Sequence, residues 1–171
     1  MRPPRPPRPP CLSRRVVLAL ALLFAACLLP RVGSTQAPAS GDDEVLAVVR
    51  RLFDGMRSAD SAMVRSTMVT GVRFAGVETR SGAAAITFDS VDNWVRAIAN
   101  SNKRWNEQTY DVRLHVDGNL AVVWAGYTFY LDGKLSHCGT DALDLLKDAS
   151  GWKITQLADT RRRENCRDVL Q

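Results

Sequence analysis

His137 and Asp141 lie four residues apart in a stretch of strand-forming sequence, and their side chains have the chemistry of an acid–base pair. Alternate residues of a strand point to one face, so both would point the same way, about 13 Å apart at about 3.3 Å per residue. They cannot touch at that spacing, but they can bracket a small molecule. Because burial shifts the pKa of either group toward that of a useful general acid or base, we predict both as candidate catalytic residues.

Both residues also have purely structural interpretations. His137 can hydrogen-bond a backbone carbonyl or the C-terminal tail, and Asp141 can pair with Arg161 or Arg162 across a hairpin.

The neighbouring strands offer further side chains for the same face, but a slip of one residue in register would exchange the two faces. Either Trp124 or Tyr127 would point inward, together with Asp159 or Arg161. The predicted ligand-binding residues are Trp124, Tyr127, Tyr110 and Arg161.

The sequence lacks the common motifs for phosphate, serine-hydrolase or zinc chemistry. Its two histidines cannot build a His-rich metal site. We therefore predict no metal and no cofactor.

A run of strands dominates the C-terminal half of the sequence. Leu120–Leu131 is rich in β-branched and aromatic residues, and the Asp-Gly pair at 132–133 is a strong hairpin signal. Ser136–Lys147 and Trp152–Thr160 follow as strands, and the alternating segment Thr109–Val116 precedes them. These four segments predict an antiparallel meander.

The N-terminal half reads as helices. Apolar residues recur at helical spacing after Asp42, and again in Val91–Ser101, where Asp89 or Ser90 is the predicted cap. A short helix capped by Asp60 or Ser61 is predicted between them. The sequence over 72–86 predicts one weak strand followed by a loop at 81–85, and 100–107 reads as a turn.

Helices followed by strands predict an α+β fold in which N-terminal helices pack on one face of a strongly curved, mostly antiparallel sheet. Such a bend leaves a cavity between the sheet and the helices.

Residues 1–39 resemble an export signal followed by a linker, with basic residues before an apolar run at 16–29 and small residues after it. They hold six of the 23 basic residues and no acidic one, which leaves 17 basic and 18 acidic groups in residues 40–171. The predicted domain, residues 40–171, is therefore nearly neutral, and we predict no nucleic-acid partner. A periplasmic or secreted protein is expected. The alternatives are an uncleaved membrane anchor and a lipoprotein anchored at Cys27.

Export favours a disulfide between the two remaining cysteines, Cys138 and Cys166. The hairpin places Cys138 opposite about Arg161, and a chain that turns back five residues later brings Cys166 within reach. The competing interpretation is a reactive thiol at Cys138 beside His137.

Several strand motifs resemble a known superfamily. They are Val123-Trp124-Ala125, Asp132-Gly133-Lys134, Ser136-His137-Cys138-Gly139 and Gly151-Trp152-Lys153-Ile154. With the helices-then-meander order, they resemble the nuclear transport factor 2-like (NTF2-like) superfamily, which includes SnoaL-like and ketosteroid isomerase-like proteins, and in particular its exported lumazine-binding-like branch. The resemblance spans about residues 42–167. It implies a cone-shaped α+β fold with a deep pocket and a homodimer formed through the sheet.

The fold hosts many functions, so it leaves the activity open. Our leading hypothesis is an exported protein that binds a small apolar or aromatic ligand. The alternatives are an isomerase-like or hydrolase-like enzyme acting through His137 and Asp141, and an interaction module that binds nothing small.

Overall fold

The computed structural model describes residues 41–80 and 83–170 of the chain. The predicted leader and Cys27 lie outside these ranges. Within them, no helix is both long enough and apolar enough to span a membrane.

Three helices of the described ranges pack against the sheet: α1 (Gly41–Arg57), α2 (Ser61–Ser66) and α3 (Val91–Asn100). The Asp60 carboxylate accepts the N–H of Met63 at 2.8 Å at the start of α2. Ser90 Oγ accepts the N–H of Asn93 at 3.4 Å at the start of α3. Both satisfy backbone donors that lack a helical partner, which confirms the predicted helix starts.

Six strands form one sheet in the order β2-β1-β6-β5-β4-β3. All neighbours pair antiparallel except β1 and β6, which run parallel. The strands are β1 (Met68–Arg80), β2 (Ala83–Phe88), β3 (Trp105–Asp117), β4 (Leu120–Leu131), β5 (Lys134–Asp148) and β6 (Gly151–Arg162). The α+β class and the four-strand meander, β3 to β6, are confirmed.

The prediction for residues 72–86 was wrong in detail, because β1 is 13 residues long and Ala83 to Ala85 belong to β2. All six β2 residues are exposed, so this strand has no buried face and hence no apolar alternation to reveal it. Backbone pairing with β1 defines it instead, with Glu78 opposite Ala85.

The hydrophobic core lies between α1 and one face of the sheet, which we call the inner face. The buried stripe of α1 includes Val45, Val49 and Leu52, and it packs with inner-face residues such as Val123 and Leu143. Fully burying one such side chain contributes about 1.5–3 kcal/mol. The opposite side of the sheet is the outer face.

A disulfide joins Cys138 on the outer face to Cys166 in the C-terminal tail, residues 163–170, as predicted. The residue opposite Cys138 is Arg162, one position beyond the predicted Arg161. Thr128 and Tyr130 on β4 also hold the tail, since Thr128 Oγ1 donates to the carbonyl of Arg167 at 2.6 Å and the Tyr130 hydroxyl donates to Asp168 at 2.7 Å. The tail is therefore fixed across the outer face of β4 and β5.

Candidate functional site

A cavity of about 160 Å³ lies between α1 and the inner face of the sheet. Its apolar walls combine α1 side chains with aromatic rings from β1, α3, β3 and β4. The aromatic residues are Phe74, Trp94, Trp105 and Phe129. The polar groups come from the sheet: Glu107, Tyr127, His137, Asp141, Asp159 and Arg161. Asp89, just before α3, adds a further carboxylate.

Strand register brings these polar groups together. Glu107, Phe129 and His137 lie side by side on β3, β4 and β5. Two rows further along the same face, Asp141 on β5 lies opposite Asp159 on β6. Because partners in register share a face, residues far apart in sequence converge on one cavity.

Two glycines make room for the side chains that cross the sheet. The Tyr127 ring passes over Gly139, where an added Cβ would lie 2.7 Å from the ring and would clash with the carbonyl of Thr160. The Tyr127 hydroxyl can therefore donate to that carbonyl at 3.0 Å and lies 3.2 Å from Asp159 Oδ2. Gly76 on β1 makes similar space for Asp159, whose Oδ1 would lie 2.5 Å from an added Cβ.

Asp159 has a fixed cation beside it. Arg161 Nη2 and Nε lie 2.8 Å and 3.2 Å from Asp159 Oδ2, and only 7% of the Asp159 side chain is exposed. Charge-assisted bonds of this kind favour the ionised carboxylate. The other oxygen, Oδ1, has no hydrogen-bond partner among the described residues.

Asp141 and Glu107 form a coupled carboxyl pair. Burial, and then the nearby charge of Glu107, raise the pKa of Asp141 well above its usual range. Burial also raises the pKa of Glu107 to about 7, although a hydrogen bond with Asp141 opposes that rise. Two carboxylates in contact cannot both ionise readily, so the pair keeps a proton at pH values at which an isolated carboxyl group has lost it.

His137 is a neutral imidazole in this environment. Burial, and then the charge of Arg161, lower its pKa to about 4. Its ring packs against Phe129 at 4.8 Å and against Tyr127 at 5.8 Å between centroids, and its Nδ1 lies 3.1 Å from Ser136 Oγ.

The structure brings together four of the six predicted catalytic and ligand-binding residues: His137, Asp141, Tyr127 and Arg161. Trp124 and Tyr110 were wrongly predicted to join them, because both lie on the outer face. Trp124 is 53% exposed there, between the buried residues Val123 and Ala125. A positive φ of 52° at Asp111 marks a bulge in β3 that puts Tyr110 on the outer face and Leu114 against the core.

Glu107 and Asp89 are the site residues that the sequence predictions did not include. Glu107 fell in a segment predicted as a turn, but β3 begins at Trp105. Extending the strand alternation four residues back from Thr109 would have placed Trp105 and Glu107 on one face. The polar neighbours Asn106 and Gln108 obscured that signal.

Within aromatic walls, the site therefore combines a carboxyl group with a pKa raised well above its usual range, an ion-paired carboxylate and a carboxyl group whose pKa is about 7. A carboxylic acid kept neutral can donate a hydrogen bond or a proton, and an ionised one can accept them. Among the described residues, no group of three or more His, Cys, Asp or Glu side chains has an arrangement suited to a metal ion.

Comparison with known proteins finds the same fold elsewhere but no detectable sequence family. No protein-family model matches the sequence. No curated protein shows significant sequence similarity to it.

Solved structures give clear matches. An NTF2-like protein from Cytophaga hutchinsonii shares 12% identity over 72% of this chain and 100% of its own, with a TM-score of 0.58. An NTF2-like protein with a cystatin-like fold from Novosphingobium aromaticivorans shares 11% identity over 91% of this chain and 95% of its own, with a TM-score of 0.55. A candidate ketosteroid isomerase from Shewanella frigidimarina shares 18% identity over 72% of this chain and 99% of its own, with a TM-score of 0.51.

The chain therefore has the NTF2-like cone fold, as the sequence resemblance implied. The narrower assignment to the exported lumazine-binding-like branch is not confirmed and stays a prediction, as does the homodimer. At these identities, the likeness concerns the fold and not the activity.

Proposed function

We propose that this protein binds a small ligand with an apolar or aromatic body in the inner-face cavity. The observation that supports this most directly is the combination of aromatic walls with buried polar groups that converge on one space. Ligand sites typically have this composition, with apolar walls for affinity and a few polar groups for orientation. Apolar cavities of about 150 Å³ accept benzene, so about 160 Å³ suits one aromatic ring and its substituents.

The disulfide supports the further proposal that the protein works in an oxidising compartment outside the cytoplasm. The predicted leader fits this proposal.

Native mass spectrometry of the full chain, purified from a host that exports it, tests the binding proposal. We expect a co-purified small molecule that dissociates on activation in the gas phase. The intact mass also reports the position at which the predicted leader is cleaved and the number of copies of the chain in each assembly.

Tryptophan fluorescence then locates the bound molecule. Trp94 and Trp105 line the cavity, whereas Trp124 lies on the outer face. We expect 2-phenylethanol to change the emission of the wild type and of Trp124→Phe, and to change that of the double variant Trp94→Phe/Trp105→Phe much less. A protein that co-purifies with nothing and gives no fluorescence change with any aromatic probe would contradict the proposal.

Acid–base catalysis is the second candidate function, and Asp141 is the observation that favours it. A buried, protonated acid opposite an ion-paired carboxylate is a common arrangement of catalytic acid and base. The predicted partner His137 suits the role of base poorly because its pKa is lowered to about 4. Glu107, with a pKa near 7, is better matched to proton abstraction at neutral pH.

Deuterium exchange tests this second function even when the product is unidentified. The released ligand is incubated in D₂O with wild type, Glu107→Gln or His137→Gln and then weighed by mass spectrometry. Catalysis predicts that wild type and His137→Gln exchange carbon-bound hydrogen and that Glu107→Gln does not. Equal, background exchange in all three samples would leave binding as the function.

A further inference from the structure

The inner-face cavity has an excess of negative groups. Four carboxyl groups line it, but Arg161 is its one guanidinium, and His137 is neutral. Asp159 already engages Arg161 at 2.8 Å. The charge of Arg161 also acts on Glu107 and Asp141, but among the described residues that line the cavity it is one cation for four carboxyl groups.

Two fully buried carboxyl oxygens beside the cavity lack a hydrogen-bond donor among the described residues, apart from the carboxyl contact within the Glu107–Asp141 pair. Asp159 Oδ1 has no hydrogen-bond partner among the described residues, although the residue is only 9% exposed. Asp141 is 3% exposed, and apart from the Glu107 carboxyl no described side chain or backbone group offers its Oδ2 a hydrogen bond. Buried acceptors without donors are costly, so a ligand that brings N–H donors would stabilise both.

The aromatic walls favour the same kind of ligand. Phe74 and Trp94 pack at 5.2 Å on one side, and Trp105 and Phe129 pack edge-on at 5.7 Å on another. The face of an aromatic ring carries partial negative charge and attracts ammonium groups, most strongly for Trp. Aromatic faces and carboxyl groups together therefore surround the space with negative potential.

We propose that the cavity selects an amine, in which a protonated nitrogen contacts Glu107 and Asp141 and an attached apolar or aromatic body packs against the aromatic walls. This rests on the proposed binding function and narrows its ligand class. An anion of the same size should bind more weakly, because its negative charge would be buried against the carboxyl groups of the cavity. A neutral analogue could not form an ion pair with Glu107 and Asp141.

Proton release is a direct consequence of this mode of binding. Without a cation, Glu107, whose pKa is about 7, is mostly protonated at pH 6, and the pKa of the neighbouring Asp141 is raised as well. An ammonium group beside them stabilises the doubly ionised pair, so binding displaces that proton to solvent. The charged or titratable groups that face the pair are Tyr127 on β4, His137 on β5, Asp159 and Arg161 on β6, and Asp89 before α3. Arg161 is committed to Asp159, and Tyr127 and His137 stay neutral near pH 6, so the Glu107–Asp141 proton is the one that leaves.

Isothermal titration calorimetry with the full chain measures both preference and proton release. The probes are 2-phenylethylamine, 2-phenylethanol and phenylacetate, with tryptamine, tryptophol and indole-3-acetate as a second, larger series. Titrations at pH 6 in two buffers of different ionisation enthalpy give the number of protons released. We expect the amines to bind at least about 10-fold more tightly than the alcohols, the acids to bind least, and only the amines to release a proton.

Glu107→Gln separates charge recognition from cavity packing. We expect this variant to lose the proton release and the preference for amines, so that its affinities for each amine and the matching alcohol differ by less than about 2-fold. Asp117→Asn is the matched control, because Asp117 ends the same strand, is exposed and lies outside the cavity. It should keep both the preference and the proton release.

The outcomes distinguish this inference from the proposed function on which it rests. If the alcohols bind as tightly as the amines, or if amine binding releases no proton, the amine inference is overturned and the binding function stands. If no probe of either series binds, the binding function itself is overturned. An unchanged amine preference in Glu107→Gln would also overturn the inference.

Discussion

Asp141 and Asp159 lie directly opposite each other on β5 and β6, yet only Asp159 has a cation beside it. The two carboxyl groups share one cavity, but Arg161 pairs with Asp159, whereas burial and the charge of Glu107 raise the pKa of Asp141. Identical side chains therefore meet opposite electrostatic environments. The difference arises from one arginine, two residues beyond Asp159 on the same face of β6.

This difference makes folding stability depend on pH. The folded protein keeps protons on Asp141 and Glu107 that the unfolded chain releases. The contribution of these two groups to the free energy of unfolding is therefore complete below their pKa values in the unfolded chain and is lost as pH rises through their pKa values in the folded protein. For Glu107 this window runs from 4.5 to about 7. We expect the free energy of unfolding from urea denaturation to decline across that range.

Asp141→Asn should reduce this decline. The amide keeps a hydrogen-bond donor toward Glu107 but has no proton to lose, so the variant avoids a buried, poorly compensated charge. We expect the free energy of unfolding at pH 8 to be about 1–3 kcal/mol higher than in wild type, the usual penalty for such a group. Urea denaturation at pH 5 and pH 8 measures it. Asp117→Asn, an exposed change on β3, should behave as wild type, and a variant less stable than wild type at pH 8 would contradict the assignment.

Gly139→Ala should disrupt the site from within the sheet. An added Cβ would clash with the carbonyl of Thr160 and would lie 2.7 Å from the Tyr127 ring. Forcing an extra group into a packed position costs about 1–3 kcal/mol and occasionally more. Thermal and urea unfolding measure the loss. Gly41→Ala at the start of α1 is the control, because its added Cβ lies within 4 Å of no other atom. An equal loss of stability in the two variants would show that Gly139 has no special steric role.

Sequence patterns predicted the architecture well because local signals were strong. The Asp132-Gly133 turn adopts positive φ at both residues, 52° and 78°, as a tight hairpin requires. The strand parity of His137 and Asp141 also held. The β2 strand was missed because its residues are exposed and its pairing with β1 depends on the backbone.

The site was only partly predictable because its composition depends on long-range register. Parity alone could not decide whether Trp124 or Tyr127 points inward, and the bulge at Asp111 reversed the face of Tyr110. The Glu107–Asp141 contact joins β3 to β5 across β4, and no local pattern encodes it. Charge states that follow from such contacts can be derived only once the structure is known.

His137 should stay neutral in mildly acidic solution. Burial, and then Arg161, lower its pKa to about 4, so its imidazole should titrate well below the ordinary value of 6.5. The chain has two histidines, so NMR titration of the ring protons is simple to interpret, and His115→Asn assigns the other signal. A signal of His137 that titrates above pH 6 would show that the ring is solvated and that Arg161 does not act on it.

The same shift predicts a stabilising role for the neutral ring. Below pH 6.5, His137 takes up a proton in the unfolded chain but stays neutral in the folded protein. The contribution of the neutral ring to the free energy of unfolding is therefore lost as pH falls from 6.5 to about 4. The pH dependence of stability that His137 causes is therefore opposite in direction to the one that Glu107 and Asp141 cause. We expect His137→Gln to be relatively more stable than wild type at pH 4.5 than at pH 7, measured by urea denaturation at both values. An unchanged difference between the two proteins would contradict the lowered pKa.

The Cys138–Cys166 disulfide should contribute strongly to stability because it closes a loop with a sequence separation of 28. In the chain-entropy model, such a loop contributes about 3–4 kcal/mol. We expect Cys138→Ala/Cys166→Ala to lose about that much free energy of unfolding, measured with urea. Dithiothreitol should lower the stability of wild type toward that of the double variant and leave the double variant unchanged. Because Thr128 and Tyr130 still hold the tail, we expect the double variant to remain folded. We also expect it to keep its affinity for 2-phenylethanol, because the tail lies on the outer face and the cavity on the inner face. A parallel loss of affinity would show that the tail also supports the site.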